Sequence, residues 1–178
     1  MESETTIAYI GLGSNLGDRA GNLVLAVRGL MEASFLVTRL SCIYETEPVG
    51  MEGGPFLNMV AEVSVRDISP TQMMARLLRI EYLLDRRDKG EKRPRTIDLD
   101  VLFYGETRLA TDFLTLPHPR LHLRRFVLHP LNEIAPTFRH PMLKCMISEL
   151  FEKCDDPSWV RRWDPNADVD RELAELTA

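Results

Sequence analysis

The chain lacks most of what would mark a secreted, membrane-spanning or metal-stapled protein. Its three cysteines, Cys42, Cys145 and Cys154, form no C-x-x-C pair and cannot all be joined to one another, which points to a reduced, cytoplasmic protein. The four histidines show no ligand spacing on a credible helix. His118 and His122 are four apart, but Pro119 lies between them and disfavours one continuous helix. No apolar run is long enough to cross a bilayer, since the longest, Leu23 to Val37, is interrupted by Arg28, Glu32 and Ser34. Met1-Glu2-Ser3-Glu4 is acidic and carries no basic-then-apolar leader. Charge of one sign is not in excess either: 22 basic residues stand against 27 acidic ones, a net charge of −5. Neither nucleic acid nor a membrane is therefore an expected partner. There is no internal repeat and no low-complexity segment.

What is present is enough sequence for one well-packed domain. The expected unit is residues 1–163, a monomer, followed by an acidic, weakly amphipathic tail over 164–178 that is helical or disordered. The stretch around which the rest is organised is Arg95 to Tyr104. Ile97, Leu99, Val101 and Phe103 alternate with Thr96, Asp98, Asp100 and Tyr104, the period of a strand with one apolar and one functional face. Residues two apart on a strand are roughly 7 Å apart, so Asp98 and Asp100 can converge on small cations. Mg²⁺ suits such a pair, because it takes one or two carboxylates and completes its shell with water and substrate phosphates. Taken alone, a D-x-D on a solvated edge strand is more often two harmless acids.

The surroundings change that balance. Ile7 to Leu12 reads as a buried strand, followed by a turn at Gly13-Ser14-Asn15-Leu16-Gly17. That turn has neither the Lys of a P-loop nor dinucleotide-binding glycine spacing, so it reads as a turn first, with a ligand-facing role equally open. Asp18 is positioned as an N-cap for a helix to about Ala33, with Leu23, Val27, Leu30 and Met31 on its core face. Leu36 to Thr46 predicts a strand, and Glu47 to Pro55, with two prolines and three glycines, a loop. Phe56 to Arg66 alternates cleanly, so Phe56 and Asn58 share the face away from Leu57, Met59 and Ala61. A ring beside an amide is a natural clamp for a flat heterocycle.

Ser69-Pro70 starts the next helix, with Met73, Leu77, Ile80 and Leu84 buried and Glu81 flanking. Asp85 to Arg95 then carries six basic and three acidic residues, a cationic arm leading into the carboxylate strand. Cations on some phosphate oxygens and metal on others are what a polyphosphate requires. Leu116 to Arg120 reads as extended, Val127 to Ala135 as a helix ended by Pro136, and Cys145 to Cys154 as a further helix.

The order strand, helix, strand, strand, helix, strand is the split βαβ plan of an α+β, ferredoxin-like sandwich with an antiparallel sheet and extra C-terminal helices. On that plan, Ile10-Gly11-Leu12-Gly13-Ser14-Asn15, Tyr44-Glu45-Thr46-Glu47-Pro48-Val49-Gly50, Phe56-Leu57-Asn58, Pro94-Arg95-Thr96-Ile97-Asp98-Leu99-Asp100 and Leu116-Pro117-His118-Pro119 appear in order. Over about residues 7–163 the chain resembles the 6-hydroxymethyl-7,8-dihydropterin pyrophosphokinases of folate biosynthesis. The resemblance implies transfer of diphosphate from ATP to the pterin hydroxymethyl group, with release of AMP. It implies two Mg²⁺ ions on Asp98 and Asp100, and Arg86 and Arg95 on the phosphates. It implies His118, Arg124 and Glu81 on the nucleotide side, with Met74, Val101, Leu114 and Thr115 lining an adenine slot. The pterin would stack between Phe56 and Phe126 and be read by Asn58, Thr46 and Val49, with Asp98 near its hydroxyl.

The chain departs from the family by carrying Lys92-Arg93 where Trp-Gly is usual, which predicts a more electrostatic closure of that loop. Two alternatives stand at this point: a different Mg²⁺-dependent phosphoryl or nucleotidyl transferase on the same fold, and a non-catalytic nucleotide-binding module. The first has no use for a ring clamp. The second predicts binding without turnover.

Overall fold

The computed structural model describes residues 5–48, 53–85 and 94–166. The elements run β1 (Thr5–Ser14), α1 (Arg19–Glu32), β2 (Leu36–Leu40), β3 (Tyr44–Thr46), β4 (Phe56–Arg66), α2 (Pro70–Leu83) and β5 (Asp98–Tyr104). A small hairpin, β6 (Leu109–Ala110) and β7 (Thr115–Leu116), leads into α3 (Arg125–Ile134), α4 (Ile147–Glu152) and β8 (Val160–Arg162). The main sheet is antiparallel in the order β5-β1-β4-β3-β8, with β2 also paired to β4. This is an α+β, ferredoxin-like arrangement. The expected split βαβ order is present, and β8 extends the sheet beyond it.

Both faces of the sheet are used. On one, Ile10, Leu12, Leu57, Met59, Leu99 and Val101 pack against Leu23, Ala26 and Leu30 of α1 and Met73, Leu77 and Ile80 of α2. On the other, Tyr9, Val60, Leu102 and Phe103 pack against Val127, Leu128 and Leu131 of α3 and Ile147 of α4. The alternation of β4 divides as its sequence predicts, with Leu57, Met59, Ala61, Val63 and Val65 on the α1/α2 side and Val60 on the other.

Local chemistry accounts for both long helices. Asp18 caps α1 by accepting from the Gly21 N–H at 2.9 Å. Ser69 and Gln72 form a reciprocal capping box at α2, with Pro70 in the first turn. The core stripe of α1 uses Ala26 rather than Met31, which is exposed. Residues 23, 26 and 30 follow the helical period onto the sheet, and Met31 falls one step off it.

The predicted strand Leu36–Thr46 is two strands. At Ser41 the main-chain N–H donates to the Val60 carbonyl at 2.9 Å while the hydroxyl accepts from the Val60 N–H at 2.9 Å. One serine thus serves both partner groups, and the ladder breaks beside it. In β5 the simple alternation fails past Val101. Tyr9 faces Phe103 and Ile10 faces Val101, so Leu102 is an extra residue in the ladder. The bulge sends Phe103 to the α3 side and turns Tyr104 toward the α2 side, where its hydroxyl donates to the Ile68 carbonyl. α4 spans less than the predicted Cys145–Cys154, and the segment after Leu116 is reached through a cis Leu116–Pro117 bond.

His140 is buried against Phe103, and its Nδ1 accepts from the Met142 and Leu143 N–H groups at 3.2 and 3.1 Å. Burial, with His122 adding, pushes its pKa from 6.5 down to about 4. The unfolded chain binds this proton below its ordinary value, whereas the fold resists it until about 4. Stability is therefore full above that ordinary value and declines as pH falls through this window. Urea midpoints should drop between neutral and mildly acid pH, and His140→Asn, which keeps an acceptor, should shallow the drop. An unaltered pH dependence in that variant would contradict the assignment.

Candidate active site

α3 and α4 cover only part of their face of the sheet. The uncovered part is the floor of a cleft of about 500 Å³. Gly11 and Gly13 of β1, Asn58 of β4 and Asp98 and Asp100 of β5 form the floor, because they occupy the strand positions that alternate with the core side chains. Thr46 and Phe56 stand at one side, and Arg95, His118, Arg124 and Phe126 at the others.

Glycine at position 13 is a matter of space. A Cβ there would lie 2.8 Å from Asn58 Oδ1 and 3.6 Å from Phe56 Cδ1. Asn58 itself is buried, and its Nδ2 donates to Thr46 Oγ1 at 2.8 Å. Its orientation is thereby fixed, with the carbonyl oxygen toward Gly13.

The acids are held from three directions. Leu99 between them is fully buried, and its N–H donates to Glu81 Oε1 at 2.7 Å. Arg95 Nη1 donates to Asp98 Oδ2 at 3.0 Å. His118 Nε2 lies 3.9 Å from Asp100 Oδ2. His118 Nδ1 accepts from the Arg120 N–H at 3.3 Å, which places the neutral ring's proton on Nε2, facing Asp100. Burial first, and then Arg124 and Arg120, lower the His118 pKa against the pull of Asp100. The ring is thus a neutral donor near pH 7. Each aromatic wall carries a guanidinium, with Arg95 6.0 Å from the Phe56 centroid and Arg124 5.5 Å from that of Phe126.

Among the described residues, no group of three or more His, Cys, Asp or Glu is placed to hold a metal. Two carboxylates with a cation-rich rim suit Mg²⁺ that shares its shell with phosphate oxygens, rather than an all-protein cage.

Of the residues singled out from sequence, the structure brings Thr46, Phe56, Asn58, Arg95, Asp98, Asp100, His118, Arg124 and Phe126 to this one cleft. It does not bring Glu81, Met74, Val101, Leu114 or Thr115 there. Val101 shares the parity of Leu99 and is buried with Met74 and Leu114 on the α1/α2 side. Thr115 lies exposed in β7, and Glu81 is buried beneath β5. Val49, Arg86, Lys92 and Arg93 lie outside the described residues.

Sequence reasoning passed over Asn15, Glu47, Arg120 and Leu123. Asn15 clasps Arg95, its N–H donating to the Arg95 carbonyl at 3.1 Å and its Oδ1 accepting from the Arg95 N–H at 2.8 Å. The turn after β1 clasps the segment that leads into β5. Only its asparagine, a frequent maker of backbone-mimicking bonds, hinted at this.

Fold and cleft together define a class: an α+β, ferredoxin-like protein with a carboxylate pair, converging cations and a ring-lined pocket on one sheet face. Within that class, the chain belongs to the 7,8-dihydro-6-hydroxymethylpterin-pyrophosphokinase (HPPK) family, whose model matches residues 9–136. It is 39% identical over 166 residues to the 2-amino-4-hydroxy-6-hydroxymethyldihydropteridine pyrophosphokinase of Bacillus subtilis, covering 92% of this chain and 94% of that one. The enzyme of the same name from Aquifex aeolicus is 35% identical over 143 residues, with 79% and 88% covered. Among solved structures, the HPPK-DHPS protein of Plasmodium falciparum superposes with a TM-score of 0.70 at 16% identity. That match covers 86% of this chain and 45% of the other, and at such identity it speaks for the fold alone.

The buried bond between Glu81 and Leu99 yields a prediction for the site's framework. Glu81→Ala leaves a buried N–H without this acceptor and should cost about 1–3 kcal/mol in urea denaturation, whereas Glu81→Gln should restore most of it. Equal stability of Glu81→Ala and the parent chain would rule out the anchoring role.

Proposed function

We infer that this chain transfers diphosphate from ATP to the hydroxymethyl group of 6-hydroxymethyl-7,8-dihydropterin, giving AMP and the pterin diphosphate, a step of folate biosynthesis. Family membership supports the reaction. The observation that carries the residue assignments is that Asp98 and Asp100 face the same cleft as Phe56, Asn58 and Phe126. Residues 1–163 are the domain we assign to this chemistry, acting as a monomer in the cytoplasm on small-molecule substrates, with neither nucleic acid nor membrane as partner.

In the reaction, the pterin hydroxyl oxygen forms a bond to the β-phosphorus, the bond from that phosphorus to the α,β-bridging oxygen breaks, and the hydroxyl proton is released. Little covalent work falls to the protein, so positioning and charge neutralisation dominate. Asp98 and Asp100 would hold the two Mg²⁺ ions expected. When bound, these ions would neutralise triphosphate charge and acidify the attacking hydroxyl. Arg95 and Arg124, with Arg86 from the cationic arm, bind phosphate oxygens. His118 donates from Nε2.

The pterin lies between Phe56 and Phe126. Asn58, oriented by Thr46, reads its amide edge, with Thr46 and Val49 contributing main-chain groups and Asp98 near the hydroxyl. A site built on such hydrogen bonds rejects analogues that lack them. On the nucleotide side, the core location of Val101 and Leu114 leaves main chain, not side chain, for adenine. Among the described residues β5 is the terminal strand of its sheet, so one edge has no described strand neighbour there. Thr115 lies on the β7 side of that edge, and Glu81 supports the strand from beneath.

Incubation with ATP, Mg²⁺ and the reduced hydroxymethylpterin should yield AMP and pterin diphosphate in equal amounts. ATP binding without AMP, or AMP formed independently of the pterin, would sink this reading. Asp98→Ala and Asp100→Ala should each lower turnover by about a thousandfold or more. Full activity in either variant would remove the metal assignment.

A further inference from the structure

α3 begins without a cap of its own. Its N-cap residue, Arg124, makes no side-chain capping bond, so the first N–H groups of the helix need acceptors from elsewhere. One comes from far along the chain, where Asp156 Oδ2 accepts from the Arg125 N–H at 2.9 Å. The Arg125 guanidinium closes the same junction, donating from Nε to the Asp156 carbonyl at 2.9 Å and from Nη2 to the Cys154 carbonyl at 3.1 Å. Asp156 is fixed in turn by Ser158, whose N–H and hydroxyl donate to Oδ1 at 3.0 and 2.5 Å. Burial opposes its ionisation, yet the bonds from Ser158 and Arg125 hold its carboxyl below the ordinary value. A negative charge therefore sits at the positive end of the helix.

The same strap continues straight into the opposite wall of the cleft. Trp159 N–H donates to Glu47 Oε1 at 2.8 Å. Val160 and Arg161 then pair with Thr46 and Glu45. Arg161 also forms an ion pair with Glu45, whose other oxygen takes Arg19 Nη1 at 3.0 Å. One end of the strap thus holds the helix start that carries Phe126. The other holds the strand that carries Thr46 and, through Thr46 Oγ1, the orientation of Asn58.

The far half of α3 is pinned to β3 independently, by Glu133 accepting from the Tyr44 hydroxyl at 2.9 Å and by the contact of His129 with the Tyr44 ring. Releasing the strap would loosen the Phe126 end and leave the other end in place. Neither Asp156 nor Ser158 lines the cleft, and the family model's match ends at residue 136, before the strap begins.

We propose that Asp156 is a positioning residue that sets the width of the ring pocket, by tying the start of α3, with Phe126, to the Thr46 and Asn58 wall. The proposal rests on the reading of that pocket as the pterin site. β5, with its acids, lies at the opposite end of the sheet from β8, and of the described groups assigned to phosphate only Arg124 adjoins this junction, so the larger effect falls on the pterin half.

The test is steady-state kinetics of the full chain with each substrate varied. Asp156→Ala should raise the pterin KM about fivefold while the ATP KM stays within about twofold. Asp156→Asn, which retains an oxygen acceptor, should return most of the pterin affinity. A lowered melting temperature with an unmoved ratio of the two KM values would overturn the proposal, as would an equal rise in both. If Asp156→Ala does not fold, Ser158→Ala should shift the same ratio in the same direction by a smaller factor, and an unmoved ratio there overturns the proposal equally. A parent chain that forms no pterin diphosphate overturns both the pterin reading and this one, whereas an active parent with an unmoved ratio overturns this one alone.

Discussion

Two like charges held side by side are the constraint on which the site depends. Asp98 and Asp100 repel each other, and nothing in an isolated strand would keep them aligned. What keeps them is Leu99, whose side chain is fully buried and whose N–H is bound by Glu81. A shift of one residue would bury both acids and expose the leucine, so the register of β5 on β1 is fixed by a large energetic difference. The bulge at Leu102 begins only after both acids have been placed. It lets the same strand supply Phe103 to the opposite core without disturbing the pair.

The remainder of the cleft is arranged around that pair by neighbouring groups. Asn15 clasps the main chain of Arg95, whose guanidinium then reaches Asp98. Arg120, through its N–H, sets the tautomer of His118, which faces Asp100. Glycine at position 13 leaves room for the oxygen of Asn58, and Thr46 fixes which way that amide points. Cations and a neutral donor converge on the acids, flat walls and an oriented amide stand beside them, and Arg95 and Arg124 adjoin both groups. A diphosphate donor and a planar acceptor can then be held together on one surface, which is where most of the catalytic effect of such an enzyme arises.

α3 connects the two halves, since it carries Phe126 and adjoins Arg124, yet it is the helix least supported by its own sequence. No Ser, Thr, Asp or Asn precedes it, which is why its start reads as Val127 from sequence and is found at Arg125. The missing cap is supplied by Asp156, 31 residues later. Short-range rules succeed at α1 and α2, where Asp18 and Ser69 stand next to the turns they cap, and fail at α3 because its cap is remote.

By itself the sequence determined the strand parities that place Phe56, Asn58, Asp98 and Asp100 on a common face, the two locally capped helices, and the family to which the motifs belong. These follow from side-chain alternation and from bonds between near neighbours, which a linear chain encodes directly. Only the tertiary structure decided that Val101 and Leu114 turn into the core, that Glu81 anchors β5 from beneath, that Ser41 splits a strand and Leu102 bulges another, and that β8 with the segment before it straps the two walls of the cleft together. Each of these depends on a partner distant in sequence, and such contacts have no local signature because they form only when separate elements are packed against each other.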